Sequence, residues 1–494
     1  MRRFRSKAVK TRCWFISAEN KAFTDEELIG NGSLPEGALL NRKKSSRAWD
    51  FVKCKDGQRE QGADGAAKPA DSERLAHQVR LPSWPDSERP RLLFVVSSSL
   101  AVGYLQGQLQ YFQNKGFDVT VLAPKTRKGE WEVPRPEGIP FIEVPMEQEI
   151  APRRDLASLW QLWCIFRRLR PAVSNVGTPK AGLLGGIAAW LNRVPCRIYT
   201  LHGLRFETTK GLKRRILIYA ERLACYFAHR VICVSQSVRE KALACGLARP
   251  ERMVVLGPGS CNGVDTSRFA ATPELVRRAA ELRSQLGIPA EAAVVAFVGR
   301  LTRDKGIPEL IEAFLRLDKQ FRDLRLLLVG CFQNGDPLPA EARRRVETHP
   351  RVIFAGAVQD PTAYYAIADV VALPSHREGL PMVVLEAHAA GKPVVGASAT
   401  GIVNIVLDGE TGLLFPVGDV PALAQALAKL LADKSLARKL GAAGQERVKR
   451  EFQQERIWEA LYREYLEHLQ IKAAPAPLIA YSNEGESLPA RSNQ

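Results

Sequence analysis

No apolar run in this chain approaches the roughly 18 residues that a membrane-spanning helix needs. A spanning protein is therefore not expected. The chain also lacks a C-x-x-C pair, although it has nine cysteines among 494 residues. They stand at 13, 54, 164, 196, 225, 233, 245, 261 and 331, mostly in apolar stretches, and read as reduced core residues of a cytosolic protein. The seven histidines show no zinc-ligand spacing, and no Asp-x-Asp pair occurs. No metal is expected. G-x-G-x-x-G is missing after the first strand of either half, which disfavours dinucleotide binding, and G-x-x-x-x-G-K-[ST] is missing too, against a P-loop NTPase. The basic N-terminus is followed only by "CWFISA", too short for a signal-peptide core. A cytoplasmic protein is the expectation.

Positive charge, by contrast, is abundant and unevenly placed. The formal net charge is +18. Residues 89–270 hold 27 Lys/Arg against 13 Asp/Glu, whereas residues 271–494 hold 27 against 27. Nearly all the surplus thus belongs to one central block, which points that block toward a polyanion or an anionic membrane surface. No nucleic-acid motif accompanies the charge, so a nucleic-acid partner is not expected. The segment "RRDLASLWQLWCIFRRLRP" (153–171) reads as an amphipathic helix, with Leu156, Leu159, Trp163 and Phe166 at helical spacing.

Residues 1–88 are polar and aperiodic and read as a disordered extension, a linker or the product of a start codon called too early; residues 470–494 read as a second loose tail. Between them, short apolar runs rich in β-branched residues alternate with helical stretches. In the first half the runs are 91–99, 118–124, 141–145, 196–203, 230–236 and 253–259. In the second they are 293–300, 324–331, 351–358, 369–375, 393–398 and 412–416. Near-continuous apolar strands between helices imply parallel sheets covered on both faces. The fold class is α/β, with two doubly wound Rossmann-like domains, 89–270 and 271–450. Ligands of such sheets bind beyond the carboxyl ends of the strands.

That rule selects Arg300 and, across a turn, Lys305, in "GRLTRDKGI". Arg offers a rigid fork and Lys a mobile point charge for phosphate oxygens. It also selects "PSHREGLPMVVLEAHAAGKPVV" (374–395), where a helix is expected from Pro381, at its first position, to Ala390, with Gly391 just past its end. The unpaired N–H groups of that helix start, with those of Gly379 and Leu380, would attract a diphosphate. Glu378 precedes the helix. Glu386 lies inside it, where a carboxylate needs a partner, and ribose hydroxyls would serve. The loops ending "VGCFQNG" and "FAGAVQD", the latter containing Val358, suit a planar base.

"FVGRLTRDKGIPELIEAF", "NGVDTSRF" and "LPSHREGLPMVVLEAHAAGKPVVGASATGIVNIVLDGETGLLF" resemble the C-terminal half of retaining glycosyltransferases of family 4, with the GT-B fold. The resemblance extends over roughly residues 90–470. Residues 178–223 are similar to the subset that builds bacterial capsule, exopolysaccharide and O-antigen chains. It implies a nucleotide-sugar donor, a UDP-sugar, and a lipid-linked saccharide acceptor at the cytoplasmic face of the inner membrane. It implies that Glu378, in an E-x7-E spacing with Glu386, lies beside the transferred sugar, that Glu386 binds the ribose, that Arg300 and Lys305 clamp the diphosphate, and that His202 acts between the domains. "EFQQERIWEALYREYLEHL" (451–469) matches a terminal helix that crosses back onto the first domain. Many relatives carry His-x-His before Thr178-Pro179-Lys180; here "SNVG" stands there, and that outer-pocket role is not implied. A binding protein without turnover and an epimerase on the same fold are the alternatives.

Overall fold

The computed structural model describes residues 89–126, 133–147, 149–333 and 335–470. The segments read as loose, 1–88 and all but the first residue of 470–494, lie outside the described residues.

The first half forms β1 (Arg91–Val95), α1 (Gln108–Asn114), β2 (Asp118–Ala123), β3 (Phe141–Glu143), α2 (Pro152–Leu169), β4 (Val173–Gly177), α3 (Pro179–Leu191), β5 (Cys196–Leu201), α4 (Gly211–Phe227), β6 (Arg230–Cys233), α5 (Gln236–Ala244) and β7 (Met253–Val254). Its strands make one parallel sheet in the order β3-β2-β1-β4-β5-β6-β7. Strand β4 was not among the expected runs, because Ser174 and Asn175 interrupt its apolar character. Both are buried. Asn175 Nδ2 donates to the Tyr465 hydroxyl at 2.7 Å, and its Oδ1 accepts from Thr200 at 2.8 Å, so the Asn175 amide carries no unpaired burial penalty.

The second half forms α6 (Pro273–Gln285), β8 (Ala293–Val298), α7 (Ile307–Leu317), β9 (Leu324–Val329), α8 (Ala340–Thr348), β10 (Val352–Gly356), α9 (Thr362–Ile367), β11 (Val370–Leu373), α10 (Met382–Ala389), β12 (Val394–Ala397), β13 (Gly412–Phe415), α11 (Val420–Ala432) and α12 (Lys434–Glu451). Its sheet is also parallel, in the order β10-β9-β8-β11-β12-β13. These six strands are the six expected from the sequence. The architecture is the expected one, two doubly wound, Rossmann-like α/β domains.

Helix α13 (Gln454–His468) returns to the first sheet, burying Leu461, Tyr462, Tyr465 and Leu466 against Leu92, Phe94 and Phe112. Helices α2 and α3 cover the opposite face, where Leu162, Phe166 and Ala188 pack on Leu93 and Val95. The expected stripe of α2 is split. Phe166 is fully buried, but Leu156 is 68% exposed, and the inward line runs Ser158, Leu162, Phe166. Polar anchors set that rotation: Ser158 Oγ donates to the carbonyls of Pro145 and Arg154, and Asp155 is held by Lys180 at 2.6 Å.

Candidate active site

In each sheet the first strand sits beside the fourth, so the connections leave in opposite directions and open a crevice at the strand ends. In the second domain the loops flanking that switch point are β8–α7, with Arg300 and Lys305, and β11–α10, with Glu378, Gly379 and Leu380. In the first domain they follow β1 and β4. All four loops line one cleft of about 630 Å³, within the range of small-molecule sites.

Lys305 Nζ meets Glu378 Oε1 at 2.5 Å. Arg300 donates to Gln333 Oε1 at 3.0 Å. Pro381 is not the first helical residue as expected; its ψ of 112° is extended, so it forms the N-cap and the helix begins at Met382. No side chain caps that end, and among the described residues no acceptor takes the N–H of Gly379 or Leu380. Two cations and a set of unpaired N–H groups therefore face the same space, as an anion site requires. At the far end Gly391, with φ of 68°, closes the helix as expected.

Glu386 lines the cleft from inside α10. Its Oε2 accepts from the Tyr365 hydroxyl at 2.7 Å, a partner the sequence did not suggest. Burial raises its carboxyl above the ordinary range, and the Tyr365 bond offsets part of that shift. Val358 is not brought to the cleft; it packs partly buried against the second-domain core.

His202 follows β5 and faces the cleft from the first domain, its ring stacked on Tyr104 with centroids 5.7 Å apart. Desolvation lowers its pKa to about 4, so the imidazole is neutral at physiological pH. Here the domains touch backbone to backbone. A Cβ on Gly379 would lie 1.9 Å from His202 O, so only glycine permits this approach. Ser235 Oγ donates to Gly379 O at 2.7 Å, Thr400 Oγ1 to Glu207 at 2.8 Å, and Arg377 Nε to Thr208 at 3.0 Å, bridging the domains.

Sequence reasoning also missed Thr178. It has φ 72° and ψ 147°, a conformation that side chains rarely adopt and that costs about 1–3 kcal/mol. Its hydroxyl accepts from Ser97 N at 3.0 Å and lies 2.6 Å from Ser97 Oγ, tying β1 to β4 at the first-domain switch point. The signal was the strand–Thr-Pro–helix junction, legible only once β4 is recognised.

Residues 279–447 match the family described as Glycosyl transferases group 1, and residues 101–259 match the Glycosyl transferase 4-like domain. The capsular polysaccharide biosynthesis glycosyltransferase CapM of Staphylococcus aureus is 32% identical over 372 residues, 75% of this chain and 95% of that protein. The UDP-Gal:alpha-D-GlcNAc-diphosphoundecaprenol alpha-1,3-galactosyltransferase of Escherichia coli is 27% identical over 286 residues, 57% of this chain and 72% of that one. Among solved structures, Anabaena Alr3699/HepE in complex with UDP-glucose has the same fold, with a TM-score of 0.64 at 24% identity, covering 77% of this chain and 100% of that one.

Proposed function

This chain belongs to the GT-B glycosyltransferases of the family 4 type that serve cell-surface polysaccharide biosynthesis, and from that premise we propose that it transfers a hexose or N-acetylhexosamine, with retention, from a UDP-sugar to a lipid-linked saccharide. The observation that carries this reading is the cradle at the second switch point: Arg300, Lys305 and the uncapped start of α10 converge beside Glu378. Such donors act where charge develops on a departing diphosphate.

In this reading the bond from the sugar anomeric carbon to the diphosphate oxygen breaks, and Arg300, Lys305 and the N–H groups of Gly379 and Leu380 take up the charge. The acceptor hydroxyl attacks the anomeric carbon from the same face. Its proton passes to the leaving phosphate oxygen. Glu378, opposite Lys305, orients the sugar and favours positive charge on the ring. Glu386 holds the ribose with the oxygen that Tyr365 leaves open. His202, held neutral, serves as a hydrogen-bond partner to the sugar rather than as a cation. Protein cations supply the counter-charge, and no divalent ion enters any step.

Among the described residues no helix is long and apolar enough to cross a membrane. In this reading the lipid-linked acceptor is met at the cytoplasmic face of the inner membrane, where the enzyme works peripherally. The test is incubation with a panel of radiolabelled nucleotide-sugars and lipid-linked acceptors, with and without a chelator. Labelled lipid product of unchanged anomeric configuration, insensitive to chelation, is expected. An epimerised free donor, binding without transfer, or an inverted linkage would overturn the reading.

A further inference from the structure

Large apolar side chains that remain exposed are not spread over this molecule. Of the fourteen among the described residues, eight lie on three neighbouring helices of the first domain. Helix α2 presents Leu156 and Trp160, 68% and 63% exposed. Helix α3 ends in Trp190 and Leu191. Helix α4 presents Leu212, Ile216, Tyr219 and Tyr226, spaced three to seven residues apart so that they form one outward line. These helices pack side by side over the same sheet face, α3 in the middle. Soluble monomers rarely expose an apolar surface so concentrated without a partner for it.

The charge that the three helices themselves expose has one sign, although Arg154 and Lys213 are paired at its edge with Glu147 and Glu149 of the loop before α2. Arg153, Arg154, Arg167 and Arg168 on α2 and Lys213, Arg214, Arg215 and Arg222 on α4 are exposed. The acidic residues of the three helices are turned inward: Asp155 is paired with Lys180, and Glu221 is buried, accepting from the Tyr199 hydroxyl at 2.7 Å. A second copy of the chain docked here about a two-fold axis would set arginine against arginine, so self-association is disfavoured. Tryptophan and tyrosine framed by arginine and lysine suit a bilayer interface, where ring bodies enter the acyl boundary and cations meet anionic headgroups.

The face also reaches the cleft. Glu149, just before α2, pairs with Arg205 at 3.2 Å and with Lys213 of α4 at 3.8 Å, and both Glu149 and Arg205 line the cleft. A saccharide anchored in the bilayer under α2 and α4 would enter at that corner. We propose that the α2–α3–α4 face is the membrane-docking surface, seated on anionic phospholipid with Trp160 and Tyr219 at the interface. The proposal rests on the reading of the acceptor as lipid-linked.

The experiment uses the full chain with vesicles of phosphatidylcholine, alone or mixed with phosphatidylglycerol, and a parallel transfer assay with a short water-soluble acceptor analogue. Wild-type protein is expected to sediment with the mixed vesicles, less so at high salt, and not with phosphatidylcholine alone. Replacing Arg153 and Arg215 by Gln should weaken binding roughly five-fold for each charge removed. The double variant Trp160→Ser, Tyr219→Ser should lose roughly an order of magnitude. All four positions are exposed and outside the cleft, so transfer to the soluble analogue should be unchanged. Equal binding to neutral vesicles, undiminished binding by both variants, or a wild-type dimer that the variants dissolve would overturn the surface assignment. Failure of transfer to every acceptor, with vesicle binding intact and variant-sensitive, would instead overturn the functional reading and leave the surface standing.

Discussion

Lys305 and Glu378 lie 2.5 Å apart with only 15% and 12% of their side chains exposed, so each is the other's main counter-charge when no anion is bound. An incoming diphosphate must take Lys305 from Glu378. Glu378→Gln should therefore tighten binding of free nucleoside diphosphate several-fold, seen by calorimetry, while transfer falls. Lys305→Ala removes transition-state stabilisation of about 3 kcal/mol, so turnover should fall by two decades or more, and because it strands the mostly buried Glu378 carboxylate it should also lower the melting temperature. Unchanged diphosphate affinity in Glu378→Gln would mean that the ion pair does not compete with the ligand. Glu386 follows a different logic. Its folded-state carboxyl is raised by burial, so the native protein holds a proton to higher pH than the unfolded chain. The stability this confers is complete below the ordinary carboxylate range and is lost as pH rises through the raised value. Glu386→Gln should thus raise the melting temperature at neutral pH, with the gain vanishing in acid, and should weaken donor binding. A variant destabilised at neutral pH would mean that the charge is compensated inside the protein.

At the scale of elements, hydrophobic pattern revealed what it could. Every strand of the second sheet is a short, mostly apolar run and was legible as such. Strand β4 was not, because its middle residues are chosen for hydrogen bonds made across the molecule: Asn175 reaches Thr200 of β5 and Tyr465 of α13. The same network concealed the first-domain switch point, and with it Thr178. Helix α2 was legible as a helix but not in rotation, since buried Ser158 and paired Asp155 decide which side faces inward. In the cleft, the loops after β8 and β11 could be read from charge and helix-start grammar. Tyr104 and Tyr365 could not, because their roles arise from contacts between distant segments. The β4 network yields a prediction. Asn175→Ala leaves the buried Tyr465 hydroxyl without the N–H that donates to it and should destabilise by about 1–3 kcal/mol. Adding Tyr465→Phe removes the stranded hydroxyl, so the two losses should fall short of additive in denaturant unfolding. Full additivity would show that the bond does not fasten α13 to the first sheet.

For the whole molecule, transfer requires two walls to meet: the diphosphate cradle belongs to the second domain, whereas His202, Thr178 and Tyr104 belong to the first. The chain passes between domains after β7 and again between α12 and α13, and these passages are fastened together. Val264 N donates to Phe452 O at 2.9 Å, and Trp458 Nε1 donates to Asn262 Oδ1 at 2.7 Å. Gly263, with φ of 66°, sits at that junction, where an added Cβ would lie 2.8 Å from both Gln454 Cα and Phe452 O. Those are backbone atoms, so the two passages must move apart to admit it. Gly263→Ala should therefore misalign the walls while leaving the cradle intact: turnover falls about ten-fold or more, and calorimetric affinity for nucleoside diphosphate stays at the wild-type value. Gly287→Ala is the control for backbone strain alone, since Gly287 has φ of 64° but open space around its Cβ position. It should lower stability by about 1 kcal/mol without the selective loss of turnover. If Gly287→Ala slowed transfer as much as Gly263→Ala, general destabilisation would explain both, and the junction would not be what sets the alignment of the domains.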